Sequence, residues 1–282
     1  MEDNAHRLLD LAWQLGIRYF DAARSYGRAE EFLSSWLETK DLPEITVGSK
    51  WGYEYTADWK VNTELHEVKD HSLRQLQKQW TESLELIHPG LYQIHSATPE
   101  SGVLKDQAVL EELYRLKKSG IKIGLSTSGP SQSEVILEAI EIKIGDKRLF
   151  DSVQSTWNLL EQSATKALMA AHKLGVGVII KEALANGRLT SKNLDPNFED
   201  KFYLFEFHEN QTNVTTDALA MAAALNQPWA DVVLSGATTV EQLKSNIGAL
   251  MVTWNDQMEQ DLGFLSEPPD EYWKTRAQLP WN

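Results

Sequence analysis

Cysteine is absent from the 282 residues, which excludes disulfides, thiolate metal sites and cysteine nucleophiles. Long apolar runs are missing as well. Stretches such as 176–180 fall far short of a membrane span. Basic residues are scarce, 27 against 41 acidic, for a net charge of −14. Such a surface repels duplex nucleic acid and anionic membranes, so neither is expected as a main partner. The opening Met-Glu-Asp-Asn-Ala-His carries neither the basic head nor the apolar stretch of a secretory signal, so cytoplasmic residence is expected. No glycine-rich G-x-G-x-x-G turn follows an early strand, and no low-complexity tract or linker divides the chain. What is present is ordinary globular composition, 42% hydrophobic, enough for a sizeable core.

One pattern runs from end to end. Short apolar runs at 17–22, 45–49, 91–95, 121–125, 152–156, 176–180 and 232–234 read as buried strands, and stretches of helical period separate them. Ala5, Leu8, Leu9, Ala12 and Leu15 form one helical stripe, stopped by Gly16. Leu65, Val68, Leu73, Leu76, Trp80 and Leu84 form another, and Leu110, Leu113 and Leu116 a third that ends at Gly120. Ser131 with Glu134 reads as a capping box. Alternating strand and helix predicts a parallel sheet, either doubly wound or closed. A closed α/β barrel puts reactive side chains where strands end. Asp21, Tyr26, Lys50, His95, Ser126, Gln154, Asn158 and Lys181 all stand at such ends. The reading is therefore an α/β fold of the (β/α)8 TIM-barrel class with seven strands visible. The first strand of eight is missing from the N-terminus, because the chain opens in a helix. Residues 1–282 form one barrel domain, with a long loop at 190–212 and a C-terminal extension at 251–282. The loop holds Phe202, Tyr203, Phe205 and Phe207 as apolar anchors, which suits either a lid or a docked insertion.

If the barrel gathers its strand ends, four groups make a chemical set. Lys50 beside Asp21 is a charge pair in a partly dry pocket. An ammonium near a phenol favours the phenolate, which predicts a Tyr26 acidity constant below its usual value of about 10. Such a phenol can give a proton to a carbonyl oxygen, and His95 can donate to the same oxygen. The hydride must come from a cofactor. Near the end of the chain, Ser235-Gly236-Ala237-Thr238-Thr239 leads from a strand into a helix, a place suited to phosphate. Thr239 with Gln242 equally fits a capping box that merely starts that helix.

These residues carry a family resemblance. Phe20-Asp21-Ala22-Ala23-Arg24-Ser25-Tyr26-Gly27 with Glu30 resembles the F-D-T-A-x-x-Y-G…E signature of the aldo-keto reductases. Val47-Gly48-Ser49-Lys50 and Leu91-Tyr92-Gln93-Ile94-His95 match that family's next two motifs. Ile123-Gly124-Leu125-Ser126, Gln154…Trp157-Asn158-Leu159-Leu160, Leu184-Ala185-Asn186-Gly187-Arg188-Leu189-Thr190 and the segment from Gly236 to Asn246 follow in family order. The resemblance implies a (β/α)8 barrel, carbonyl–alcohol interconversion and a nicotinamide cofactor, NADP(H) preferred with NAD(H) as second option. It implies Asp21, Tyr26, Lys50 and His95 as catalytic tetrad, with Tyr26 the proton donor. Ser126 and Gln154 would meet the carboxamide, and Gly236, Ala237, Thr238, Gln242 and Asn246 the adenosine phosphate end. The chain departs from the pattern at Thr127, where the family has Asn, at Lys181, where an aromatic stacks, and at Ser245, where an acidic residue stands.

Other readings compete. The same barrel fits a nicotinamide-binding regulatory protein of weak activity. Lys181 could serve a Schiff-base enzyme. His88 and His95 are separated by Pro89-Gly90, and no metal is expected. His66 and His71 fall on a helix, off one face and solvent-exposed. Trp51 and Trp157 follow strand ends, where packing competes with lining a substrate pocket. The expected partner is a small carbonyl or alcohol substrate.

Overall fold

The computed structural model describes residues 1–40, 44–56 and 67–279. The chain divides into two compact units, Met1–Val153 and Gln154–Asn282.

The first unit opens with α1 (Glu2–Gln14), β1 (Tyr19–Asp21), α2 (Ala29–Glu38) and β2 (Thr46–Trp51). A small antiparallel pair follows, β3 (Tyr53–Tyr55) with β4 (Glu67–Lys69), then α3 (Leu73–Leu86), β5 (Leu91–Ala97), α4 (Gln107–Lys118), β6 (Lys122–Thr127) and α5 (Gln132–Glu141). A second short pair, β7 (Lys143–Ile144) with β8 (Lys147–Arg148), turns back on itself. The four parallel strands lie in the order β1-β2-β5-β6. Their register sets Asp21 beside Gly48, Lys50 beside Gln93, and Gln93 beside Gly124.

Local chemistry explains these elements. α4 begins where the Asp106 carboxylate accepts from the N–H groups of Ala108 (3.0 Å) and Val109 (3.2 Å), and it stops two residues before Gly120. It buries Val109, Leu110, Leu113 and Leu116, one face of a 3.6-residue period. β5 is buried nearly throughout, as a strand covered on both faces must be. Between Ile94 and Ala97 it carries one residue more than β6 does between Leu125 and Thr127, a bulge in which Ser96 takes φ +52°.

Three expectations fail in this unit. α3 begins only at Leu73, capped by Ser72 accepting from the Gln75 N–H at 3.2 Å. Val68 therefore lies in β4 and His71 precedes the helix, whereas Leu65 and His66 lie outside the described residues. Ser131 makes no side-chain cap. Its ψ of 10° keeps the hydroxyl from the extended geometry a cap requires.

The second unit holds most of β9 (Ser152–Thr156), then α6 (Thr165–Lys173), β10 (Gly177–Lys181), α7 (Glu199–Thr212), α8 (Thr216–Leu225), β11 (Val232–Val233), α9 (Val240–Ile247), α10 (Asp256–Leu262) and α11 (Pro269–Gln278). β10 and β11 are parallel, with Ile179 beside Val232. The core gathers Leu159, Leu160, Leu219, Ala220, Ala223, Met258, Leu262 and Tyr272. α8 is buried from Ala218 to Ala224.

The stretch read as a loop over 190–212 holds α7 from Glu199 onward. Its apolar residues are nearly consecutive, so they draw no stripe. The helix buries only Phe205 and His208, three apart. Among the described residues, no helix is long and apolar enough to cross a membrane.

Candidate active site

Asp21 ends β1, and its neighbour Phe20 points the other way, 5.2 Å from Trp36 between ring centres. Alternation along the strand thus turns Tyr19 and Asp21 to one face. Lys50 comes from β2, its side chain fully buried, and its ammonium pairs with Asp21 Oδ2. It also donates to the Ala22 carbonyl at 2.9 Å. An isolated buried ammonium would be costly, so these partners are what keep it charged. Burial pulls Lys50 down, but Asp21 and then Tyr26 outweigh it, and the amine ends above its ordinary value.

Tyr26 sits on the turn between β1 and α2, its ring centre 4.9 Å from the Lys50 ammonium. Its exposure is 46%, yet its hydroxyl lies among crowded protein atoms. Crowding raises the phenol, Lys50 lowers it, and the net shift is upward. The expectation of an acidified phenol is corrected. The ammonium is where the sequence implied, but desolvation and the Asp21 charge oppose it.

His95 lies in β5, 8% exposed. Its ring meets Tyr26 edge-on at 5.5 Å and Tyr53 at 4.9 Å, and Ser25 Oγ is 3.4 Å from its Nδ1. The bulge that follows aims it. The Ser96 N–H donates to Ser126 Oγ at 2.8 Å, holding a backbone conformation unfavourable for serine. Asp21, Tyr26, Lys50 and His95 therefore come together in the first unit, and Ser126 is tied to the same bulge.

Three further residues lie around this site, and the sequence misplaced one of them, His71. His71 is partly buried, and its Nε2–H donates to the His95 carbonyl at 2.8 Å. Its Nδ1 is buried with no partner among the described residues, so the ring is held neutral. Burial moves it down to about 4, against the carbonyl's opposing pull. His71 is therefore neither helical nor solvent-exposed, because it follows β4 and the Asp70 turn and reaches the main chain of β5 at His95. Gly52, with φ +112°, leaves room for it, since a Cβ there would overlap the His71 ring. The Glu30 carboxylate is buried nearby, accepting from Arg24 at 2.6 Å, Ser83 at 2.8 Å and Ser49. Trp51 is fully buried packing rather than a pocket wall.

In the second unit Gln154 is buried within β9. Trp157 is buried too, packing on Trp229 and donating to Thr165 Oγ1 at 2.9 Å. Lys181 donates to Thr156 Oγ1 at 2.9 Å and lies 3.6 Å from Glu182, so its amine is a paired ammonium rather than a free nucleophile. Glu182 also pairs with Arg276 at 2.7 Å. Burial raises this carboxyl, but Lys181 and Arg276 overcome it and bring it down to about 2.

The loop before α9 shows the capping box anticipated for it. The Gln242 N–H donates to Thr239 Oγ1, and Gln242 Oε1 accepts from the N–H groups of Thr238 (2.8 Å) and Thr239 (3.2 Å), a complete capping box. Gly236, Thr238 and Thr239 remain exposed ahead of the helix. Asn246 donates to the carbonyl (3.0 Å) and hydroxyl (2.8 Å) of Ser235, fastening the loop. Its Oδ1 is buried with no partner among the described residues. An exposed small-residue loop at a helix N-terminus is where the phosphate end of a nicotinamide dinucleotide could be held.

The Aldo/keto reductase family model matches residues 1–262. The chain is similar to the uncharacterized oxidoreductase YqkF of Bacillus subtilis, 26% identical and covering 88% of this chain and 82% of the relative. It is also similar to D-threo-aldose 1-dehydrogenase of a Pseudomonas species, 25% identical, covering 67% of this chain and 62% of that one. Among solved structures it resembles the holo form of aldo-keto reductase AKR11C1 from Bacillus halodurans. The TM-score is 0.76 and identity 21%, covering 95% of this chain and 89% of that one. It likewise resembles the glycerol dehydrogenase AKR11B4 from Gluconobacter oxydans, TM-score 0.73 and identity 21%, over 99% and 88%. The fold class is that of these neighbours, the (β/α)8 barrel with seven parallel strands among the described residues, and the family generally uses NAD(P)H. With a model matching nearly its whole length, the chain belongs to the aldo/keto reductase family and is an oxidoreductase of that family.

Proposed function

We propose that this protein interconverts a carbonyl and an alcohol with NADP(H) preferred over NAD(H), Tyr26 carrying the proton. One observation supports the reading above the others: a fully buried Lys50 ammonium between the Asp21 carboxylate and the Tyr26 ring. The bound nicotinamide supplies the hydride. Tyr26, raised above its ordinary value, keeps its proton at neutral pH and can give it to an oxygen that gains negative charge. Lys50 steadies the phenolate left behind, Asp21 holds Lys50, and His95 orients and polarises the same oxygen. Reduction is therefore favoured at neutral pH and oxidation at alkaline pH.

Gly236, Ala237, Thr238 and Asn246 are assigned to the adenosine phosphate end. Gln242 serves it indirectly, through the cap that shapes the loop. Ser126 keeps its hydroxyl proton to donate while accepting from Ser96, and with Gln154 it is carried over from the family motif to the carboxamide. The names of the relatives direct the first trials toward aldoses, small polyols and their carbonyl forms. The test is NADPH consumption over a panel of such carbonyls, with wild type beside Tyr26→Phe. A loss of at least about a hundredfold in the variant is expected, and equal rates would reject the reading.

A further inference from the structure

The tetrad leaves one neighbouring group unexplained. Tyr19 shares the inward face of β1 with Asp21, and its hydroxyl donates to Asp21 Oδ1 at 2.9 Å. The Gln93 amide approaches the same oxygen at 3.4 Å, from the strand beyond Lys50. Asp21 thus has two differently occupied oxygens. Oδ2 faces the Lys50 ammonium, and Oδ1 faces a phenol. The phenol reaches this place because β2 has no side chain at Gly48, the residue paired with Asp21 in the sheet. A Cβ there would overlap the Tyr19 hydroxyl and close on its ring carbon at 2.9 Å.

We propose that Tyr19 is a positioning residue of the site, its hydroxyl fixing Asp21 so that the other carboxylate oxygen faces Lys50, and that Gly48 is the space this requires. The inference rests on the proposed role of Tyr26 only for its kinetic consequence. A carboxylate held on one oxygen by an O–H cannot rotate, and part of its charge is drawn away from the ammonium. Burial and the Asp21 charge keep the Tyr19 phenol far above its ordinary value, so it stays a donor at every working pH. Without that donor the carboxylate presses its full charge on Lys50 or turns from it. Both outcomes weaken the ammonium's hold on Tyr26, and both raise the Tyr26 phenol further.

The experiment compares wild type, Tyr19→Phe, Gly48→Ala and the double variant. In Tyr19→Phe, kcat should fall about fivefold, the size of one hydrogen bond, with KM within about twofold because Tyr19 is not assigned to substrate. The alkaline limb of the reduction profile should move up by about half a unit. Gly48→Ala should reproduce both changes, and the double variant should be no worse than either, since both remove one contact. A readout free of turnover comes from protein carrying ¹³Cζ-labelled tyrosine, the Tyr26 signal being identified by its loss in Tyr26→Phe. Its titration should begin at higher pH in Tyr19→Phe. Lower thermal stability with an unmoved Tyr26 titration and unchanged kcat would overturn the proposal and leave Tyr19 as packing. An upward titration shift in a protein that reduces no carbonyl would sustain it and reject the proposed reaction instead. Additive losses in the double variant would overturn the role of Gly48.

Discussion

His71 donates its Nε2 proton to the backbone carbonyl of His95 at 2.8 Å, so one imidazole supports the main chain that carries the other. The supporting ring must stay neutral, because its buried Nδ1 has no acceptor among the described residues to receive a second proton's hydrogen bond. Its folded value of about 4 lies below the ordinary 6.5. Between those two pH values the unfolded chain takes up a proton that the folded chain refuses. Stability supplied by His71 is complete above 6.5 and declines as pH falls toward 4. The full decline is about 3 kcal/mol. Urea unfolding at several pH values, wild type against His71→Gln, should show this slope only in wild type.

Lys50→Met leaves the Asp21 carboxylate, only a tenth exposed, beside a greasy side chain. Removing one partner of a buried pair costs about 3–5 kcal/mol. Lys50→Met with Asp21→Asn should recover much of that stability while activity stays lost. Thermal melts with NADPH turnover on wild type and these two variants separate the two effects.

Gly52→Ala meets two obstacles at once, a positive φ of 112° and the His71 ring. A loss of about 2 kcal/mol or more is expected. The His71 Nε2 bond should weaken with it, so the pH slope described above should shrink in this variant. Denaturant titrations at neutral and mildly acidic pH would detect both.

Glu182 has its carboxyl lowered from 4.5 to about 2, held by Lys181 and Arg276 against the effect of burial. A depressed carboxyl contributes stability that is complete above 4.5 and is lost as pH falls through about 2. That amounts to about 3 kcal/mol for a group this little exposed. Glu182→Gln should be less stable than wild type at neutral pH by a similar amount. The difference should narrow below pH 4.5 and close near pH 2, which calorimetry down to about that pH would reveal.

The seven parallel strands were legible because each is a short apolar run between helical stripes, and all seven are found within two residues of their expected bounds. Asp21, Lys50 and His95 were legible for a related reason: polar groups at the tips of buried strands have few structural excuses. The four short strands β3, β4, β7 and β8 were not, since two or three residues cannot establish an alternation. α7 hid behind a cluster of aromatics without period. Tyr19 looked like one more apolar strand residue, because nothing in a linear pattern reveals that Gly48 opens a space for its hydroxyl. His71 was misassigned because the apolar stripe from Leu65 through Val68 to Leu84 carries a helical period across it, whereas the helix begins only at Leu73. The direction of the Tyr26 shift failed for a physical reason. Sequence displays the charges around a group, but crowding is known only after folding.

The inserted residue in β5 has a geometric consequence. A pleated strand assigns its side chains to two faces by counting odd and even, and one added residue reverses the count from that point on. Below Ser96 the parity is set by the sheet, which fixes where Gln93 and His95 project. Above it the opposite parity applies, so the loop leaving β5 can diversify without rotating the imidazole. Excising Ser96 would join the two counts into one and turn every later side chain of that strand end to the wrong side.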